Sequence, residues 1–326
     1  MRTATALAQH LARKLALPGD VPVPTLGQRR SLMQSFERLI ERDYANAAAG
    51  IYPWSLLFQM PVGTYVRTLP RLLADLPNVL RRRRDGRWKE LPEDVDLREY
   101  PPYYRRTFHW QSDGYLSRRS AELYDVGVEL LFGGTADVMR RQVLPPLVAH
   151  ARGRDQPLHV LEVACGTGRV GSQLLRALPD ARYVGVDLSP YYVELARERL
   201  ADQPRARFEV ANAESLPFPD QSFDAVCCVY LFHELPRNAR RRVWAEMRRV
   251  LRPGGLLVIE DSMQMADDPE LGVFLERFPQ DMHEPFYGDY VRDDLAEGLR
   301  ENGWLVHGRE RAFLSTVVTA LRPHEA

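Results

Sequence analysis

The sequence predicts an α/β protein: a doubly wound, mostly parallel sheet preceded by a helical N-terminal extension. Three observations predict it. From residue 157 onward, short apolar runs of strand character alternate with helical segments, the grammar of a parallel sheet covered on both faces. Before residue 150, apolar residues recur at spacings near three and four instead. Where the two regions meet, "HVLEVACGTGRVG" (159–171) sets three glycines directly after an apolar run. A glycine loop after a strand lets backbone come close to a ligand.

Taken in order, the chain opens with a short basic amphipathic helix ending near Pro18 and Gly19. It reads as an ordinary surface helix of a cytoplasmic protein, although an Arg-bearing, acid-poor start also resembles a transit peptide. "SLMQSFERLIERDYANAAA" (31–49) is helical. "YPWSLLFQMPVGTYVRTLPRLLADLPNVLRRRR" reads as helix broken by prolines, and "REYPPYYRRTFHWQSDGYLS" as a rigid aromatic connector. Two helices follow in "SAELYDVGVELLFGGTADVMRRQVLPPLVAH", parted at Gly133 and Gly134. Then come strand "LHVLEVA", helix "RVGSQLLRAL", strand "RYVGVDL", helix "PYYVELARERLAD", and strands "ARFEVAN" and "FDAVCCVYLF". Helix "RNARRRVWAEMRRVL" and strand "GLLVIEDS" continue the alternation. Helix "YVRDDLAEGLRENG" precedes "WLVHGRERAF" and "STVVTALRP", two strands suited to antiparallel pairing.

Composition narrows the partners. The 326 residues carry 44 basic and 44 acidic side chains, so no global charge draws nucleic acid. Three cysteines in apolar surroundings, an odd number without paired spacing, argue against a disulfide framework and for a reducing compartment. No CxxC pair marks a zinc site, and no apolar run reaches the length of a membrane span. Residues 67–90 hold eight basic against three acidic side chains, just after "YPWSLLFQMP". That pairing allows peripheral contact with an anionic bilayer, as well as a helix with a solvated end.

"GTGRVG" satisfies G-x-G-x-x-G, and Asp187 closes the next strand about 20 residues on, as a ribose-binding acid would. That alone suits a nicotinamide oxidoreductase. Glu162, inside the strand four residues before Gly166, points elsewhere, since a carboxylate there needs partners or a cationic ligand. Four ordered segments, "LEVACGTG", "VGVDLS", "VANAESLPFPDQSFDAV" and "RRVLRPGGLLVIED", resemble the class I S-adenosylmethionine-dependent methyltransferases. Within them the resemblance is strongest to the small-molecule enzymes of ubiquinone and menaquinone biosynthesis, and it covers residues 115 to 326.

The resemblance implies a seven-stranded Rossmann-like sheet whose last strand is antiparallel. It divides the chain into an extension or lid (1–112) and an S-adenosylmethionine-dependent methyltransferase domain (113–326). It implies that Gly166 and Gly168 let the loop approach the methionine moiety and that Glu162 orients that loop near the amino group. Asp187 would take the ribose hydroxyls and Leu188 would pack on adenine. Asn212 and Ala213 stand where the family has an Asp and a small residue; the Asn212 amide oxygen would accept the adenine amine. Ala164 and Tyr230 complete the candidate cofactor set. A non-catalytic protein that keeps the fold for assembly is the remaining alternative.

Methyl transfer needs aligned partners and excluded water, so the acceptor side leaves weaker marks. His233, at the end of the fourth strand, is either a general base of suitable pKa or a structural histidine; Glu234 beside it reads as a helix-cap or surface acid. His283, Glu284, Tyr287 and Tyr290 form a dense polar and aromatic run in a loop. Tyr115 in the connector suits a lid. The acceptor expected is small and hydrophobic or phenolic, with no metal.

Overall fold

The computed structural model describes residues 24–58 and 62–324; the basic amphipathic helix expected at the very start lies outside the described residues. In the extension, α1 (Leu26–Ala48) begins at a capping box in which Thr25 and Gln28 bond each other's backbone amides. The next helix, α2 (Val62–Asp85), runs unbroken through Pro70 and Pro77. Those prolines read as breaks in the sequence. What holds the helix instead is a polar inner face: Thr68, Asp75 and Arg82, seven residues apart, are buried. Asp75 accepts from Ser112 Oγ at 2.7 Å and Arg119 at 3.1 Å, and Arg82 Nε donates to the Trp110 carbonyl at 3.0 Å. The extension and the aromatic connector are thereby tied together.

After α3 (Arg118–Leu131), α4 (Ala136–Arg140) and α5 (Leu144–Ala151) the alternation begins. Strands β1 (His159–Val163), β2 (Arg182–Asp187), β3 (Ala206–Val210) and β4 (Phe223–Val229) are parallel; α6 (Arg169–Ala177) and α7 (Pro190–Arg199) make the first crossovers. Helix α8 (Arg237–Val250) leads into β5 (Leu251–Ser262). Past α9 (Gly272–Met282), α10 (Tyr287–Tyr290) and α11 (Leu295–Glu301), strands β6 (Leu305–Ala312) and β7 (Ser315–Leu321) close the chain. The seven strands form one sheet in the order β3-β2-β1-β4-β5-β7-β6, with β7 antiparallel to both neighbours. The expected seven-stranded architecture is what the chain adopts.

Side-chain alternation along the strands splits the core in two. Leu161, Val163, Val226, Cys228 and Ile259 face α8 and α11. Val160, Tyr183, Ala225, Cys227 and Val258 face α6 and α7. Leu39 and Ala47 of α1, with Tyr52 and Leu56, belong to that second cluster, so the boundary expected at residue 112 does not separate two cores. A buried ion pair fastens the join: Arg141 meets Asp43 at 2.9 and 2.6 Å, and the Tyr52 hydroxyl donates to the same carboxylate at 2.7 Å. All three cysteines are buried and unpaired. Among the described residues no helix is long and apolar enough to cross a membrane.

Candidate active site

The strand order reverses direction at β1 and β4, and in open α/β sheets the ligand crevice lies outside the carboxyl ends of the strands there. A pocket opens at that place. Ala164 and Gly166 from the loop after β1, Asp187 and Leu188 after β2, Asn212 and Ala213 after β3, and Tyr230 after β4 all line it. Seven residues chosen from sequence thus converge on one cavity.

The three loop glycines have three different reasons. Gly166 sits at φ +54, and a Cβ built there would touch no protein atom. The missing side chain leaves room in the pocket. Gly168, at φ +76, starts α6, but its Cβ would meet Ala196 at 3.1 Å. It therefore permits close packing of α7, not the approach of a ligand that the sequence reading gave it. A Cβ on Gly171 would press the Tyr183 ring at 2.6 Å. Glu162 is likewise set back from the pocket. Strand alternation points it into the helix-covered core, where the Tyr183 hydroxyl donates to it at 2.5 Å and burial pushes its pKa up to about 8. It braces the β1–β2 pair behind the loop.

Asp187 faces the cavity with its oxygens already oriented by two backbone amides, Gly166 N to Oδ2 and Ser189 N to Oδ1, each at 2.9 Å. Burial raises its pKa from 3.8 to about 6, against the pull of those amides. The Asn212 oxygen expected to take an adenine amine already accepts the Glu214 amide at 2.9 Å. Above these residues stands an aromatic wall from the connector and its neighbours: Tyr104, Phe108, Tyr115, Tyr124 and Tyr192. Phe108 stacks on Tyr115 at 5.4 Å, and the Tyr115 hydroxyl donates to Glu234 Oε1 at 2.5 Å. Glu234 is thus a pocket residue, not the surface or capping acid expected. Its tyrosine partner comes from 119 positions away, and nothing local in the sequence signals that.

His233 lies beside the pocket, buried, with Nδ1 2.6 Å from Asp261 Oδ1. Asp261 also accepts the amides of Leu231 and Phe232 at 3.0 and 2.7 Å, which fixes the turn after β4. Burial works against an imidazolium here, but Asp261 outweighs it and holds the pKa up to about 10. The neutral base expected from sequence is therefore not what this setting favours. Tyr287 and Tyr290 are buried with ring centroids 6.0 and 6.2 Å from His233. Tyr287 bonds Ser262 Oγ and Tyr290 donates to the Ser262 carbonyl. His283 stacks on Trp88 at 5.7 Å and lies tilted against Trp110 at 4.7 Å.

A crevice with a glycine floor, an oriented carboxylate and an aromatic wall, on this strand order, fits a Rossmann-like methyltransferase fold. Comparison with known proteins agrees. Residues 160–255 match a methyltransferase domain family model. Over 140 residues the chain is 39% identical to demethylmenaquinone methyltransferase of Deinococcus radiodurans, covering 43% of this chain and 55% of the relative. It is 43% identical over 102 residues to the phthiotriol/phenolphthiotriol dimycocerosates methyltransferase of Mycobacterium leprae, covering 31% and 37%. It is 36% identical over 152 residues to the O-methyltransferase cnsE of Penicillium expansum, covering 45% and 52%. The chain spans about half or less of the length of these relatives. Residues 160–255 thus match a methyltransferase domain, and the cofactor indicated is S-adenosylmethionine.

The residues present fit that cofactor. The space over Gly166 admits the ligand chain, and Asp187 offers an oriented carboxylate to two hydroxyls. Hydroxyls that bond the ionised form would lower the Asp187 pKa below about 6. Affinity for S-adenosylhomocysteine should then be flat above pH ~7 and fall by up to about tenfold per unit below pH ~6. Folding has the opposite sign, since the raised pKa makes protonation favour the folded state as pH drops from about 6 toward 4. Calorimetric titration across that range checks the first statement; an affinity flat to pH ~5 would remove Asp187 from the ribose site.

Proposed function

We propose that this protein transfers the methyl group of S-adenosylmethionine to a small hydrophobic or phenolic acceptor lying beneath the aromatic connector. One observation carries the reading: the crevice floored by Gly166 and Asp187 is walled by tyrosine and phenylalanine side chains of the connector and its neighbours. The cofactor supplies a methyl carbon already activated by a sulfonium, so the chain's work is to align the acceptor and exclude solvent. Tyr115, Tyr104 and Phe108 offer flat apolar faces to a ring, and the two tyrosines add polar tips at the edge. The names of two relatives, for demethylmenaquinone and for phenolphthiotriol dimycocerosates, support an acceptor of this kind.

His233 is the residue assigned to the acceptor. With Nδ1 held by Asp261, its other nitrogen lies on the side of Glu234, 3.9 Å from Oε1. There it orients an acceptor oxygen by donating a hydrogen bond. Tyr287 and Tyr290 pack around the imidazole and fix its plane. Incubation with methyl-labelled cofactor and an organic extract tests the function directly: label should pass into a solvent-extractable product only in the presence of the protein. His233→Ala should slow that transfer by about a hundredfold while S-adenosylhomocysteine affinity stays within about threefold. Equal losses of both would assign His233 to the structure alone. An enzyme that binds NAD and leaves the label in the cofactor would overturn the function itself.

A further inference from the structure

At the rim of the pocket, three distant segments bring one imidazole and two carboxylates together. His109 comes from the connector, Glu234 from the turn after β4, and Glu284 from the segment between α9 and α10. One donor atom from each lies within 4.8 Å of the others. His109 Nε2 is 3.1 Å from Glu284 Oε1 and 3.8 Å from Glu234 Oε1. Ligands about 2.1 Å from a shared ion sit roughly 3–3.4 Å apart in octahedral or tetrahedral geometry. His109 and Glu284 already have that separation, and Glu234, within 4.8 Å of both, joins them by closing up to about 1.4–1.8 Å.

Two independent features say that the cluster is incomplete as an ion pair. Glu284 is fully buried, yet neither of its oxygens accepts a hydrogen bond, and the other ring nitrogen of His109 is buried without a partner too. A carboxylate taken from water without donors is costly, and the charges of His109 and of His233, which Asp261 already holds, answer only part of its own. The backbone is also strained at this place. His109, Trp110 and His283 all have positive φ, at 53, 56 and 52, although none is glycine. Such strain persists only where the surroundings fix it, and it gathers at ligand clamps. Here it turns the connector and the α9–α10 segment so that His109 and Glu284 face each other, while His283 packs against Trp88 and Trp110.

We infer that His109, Glu234 and Glu284 form a binding site for one divalent cation of intermediate softness, such as Mn2+, Fe2+ or Zn2+. One imidazole with two carboxylates is the donor set these ions share. His109 and Glu234 keep 20% and 13% of their side-chain surface exposed, which leaves a way in. Because Glu234 lines the cofactor pocket and takes the Tyr115 hydroxyl, the ion stands at the edge where an acceptor would lie. Coordination positions not used by the three side chains would hold an oxygen of the acceptor and acidify it. The acceptor class is then a hydroxyl or enol compound; this last step rests on the methyl-transfer reading, and the ion site does not.

Mn2+ alone is the probe, with the free-ion paramagnetic resonance signal as readout on the full chain. One saturable site per chain is expected, weakened about tenfold or more in Glu284→Gln and in His109→Ala, with circular dichroism confirming that both fold. Spin-echo modulation from a coupled imidazole nitrogen should appear in the wild-type complex, which decides the matter even if a variant fails to fold. Absence of saturable binding, binding that neither folded variant changes, or no nitrogen coupling would each overturn the site. If Mn2+ binds as expected but a chelator leaves labelled-methyl transfer unchanged, the acceptor-holding role falls while the site stands.

Discussion

Gly166→Val is expected to abolish S-adenosylhomocysteine binding in a chain that still folds. The new side chain meets no protein atom, because Gly166 looks into open space at the pocket floor; it would occupy the volume the cofactor needs. It also forces a β-branched residue to φ +54, a conformation costing roughly 1–2 kcal/mol. The loop would therefore shift, and the Gly166 amide would leave Asp187 as it does so. Loss of affinity beyond about a hundredfold, near 2.7 kcal/mol, is the expected size. Circular dichroism separates that from unfolding, because the strand core on both sides of the loop is untouched. Gly168→Ala makes an instructive partner: its Cβ would press Ala196 at 3.1 Å, so its cost should appear in stability before it appears in affinity.

Arg141→Ala should have the largest effect on stability. Arg141 and Asp43 are about one-twentieth exposed, joined by two short hydrogen bonds, and Asp43 carries a third from Tyr52. Removing the arginine leaves a buried carboxylate whose charge has lost its partner. Breaking one side of such a pair costs about 3–5 kcal/mol. Asp43 belongs to α1 and Arg141 to the turn after α4, so the loss should loosen the extension from the sheet. In a denaturant titration the midpoint should fall sharply, and Asp43→Ala/Arg141→Ala should lose less than the two single changes added together. A loss under ~1 kcal/mol would mean that the extension is held by apolar contacts alone.

Why the sheet was legible and the site only half so follows from the range of the forces. Alternating apolar strands, the left-handed glycines and the acid at the end of β2 are encoded within about twenty residues, and each sits where the spacing placed it. Period-two alternation even explains why Glu162, read as a cofactor neighbour, points into the core with Tyr183. Other features depend on segments meeting from far away. The Tyr115–Glu234 bond joins residues 119 apart, and the His109–Glu284 approach spans the whole domain. No local pattern announces either. Helix α2 failed for another reason: prolines at 70 and 77 look like stops, while the buried Thr68, Asp75 and Arg82 that hold it are polar and escape a search for apolar faces. Their seven-residue spacing was the available signal.

The central claim is that the crevice between β1, β2 and β4 is built for S-adenosylmethionine. Calorimetric titration of S-adenosylhomocysteine into the wild type and into Asp187→Ala, with NAD in a parallel cell, tests it most directly. Saturable one-to-one binding is predicted for the wild type. In the variant it should weaken by the loss of hydrogen bonds to a charged acceptor, about 1.5–3 kcal/mol for each of the two ribose hydroxyls, and NAD should give no heat. Equal binding by a folded Asp187→Ala chain, or NAD binding in preference to S-adenosylhomocysteine, would contradict the account.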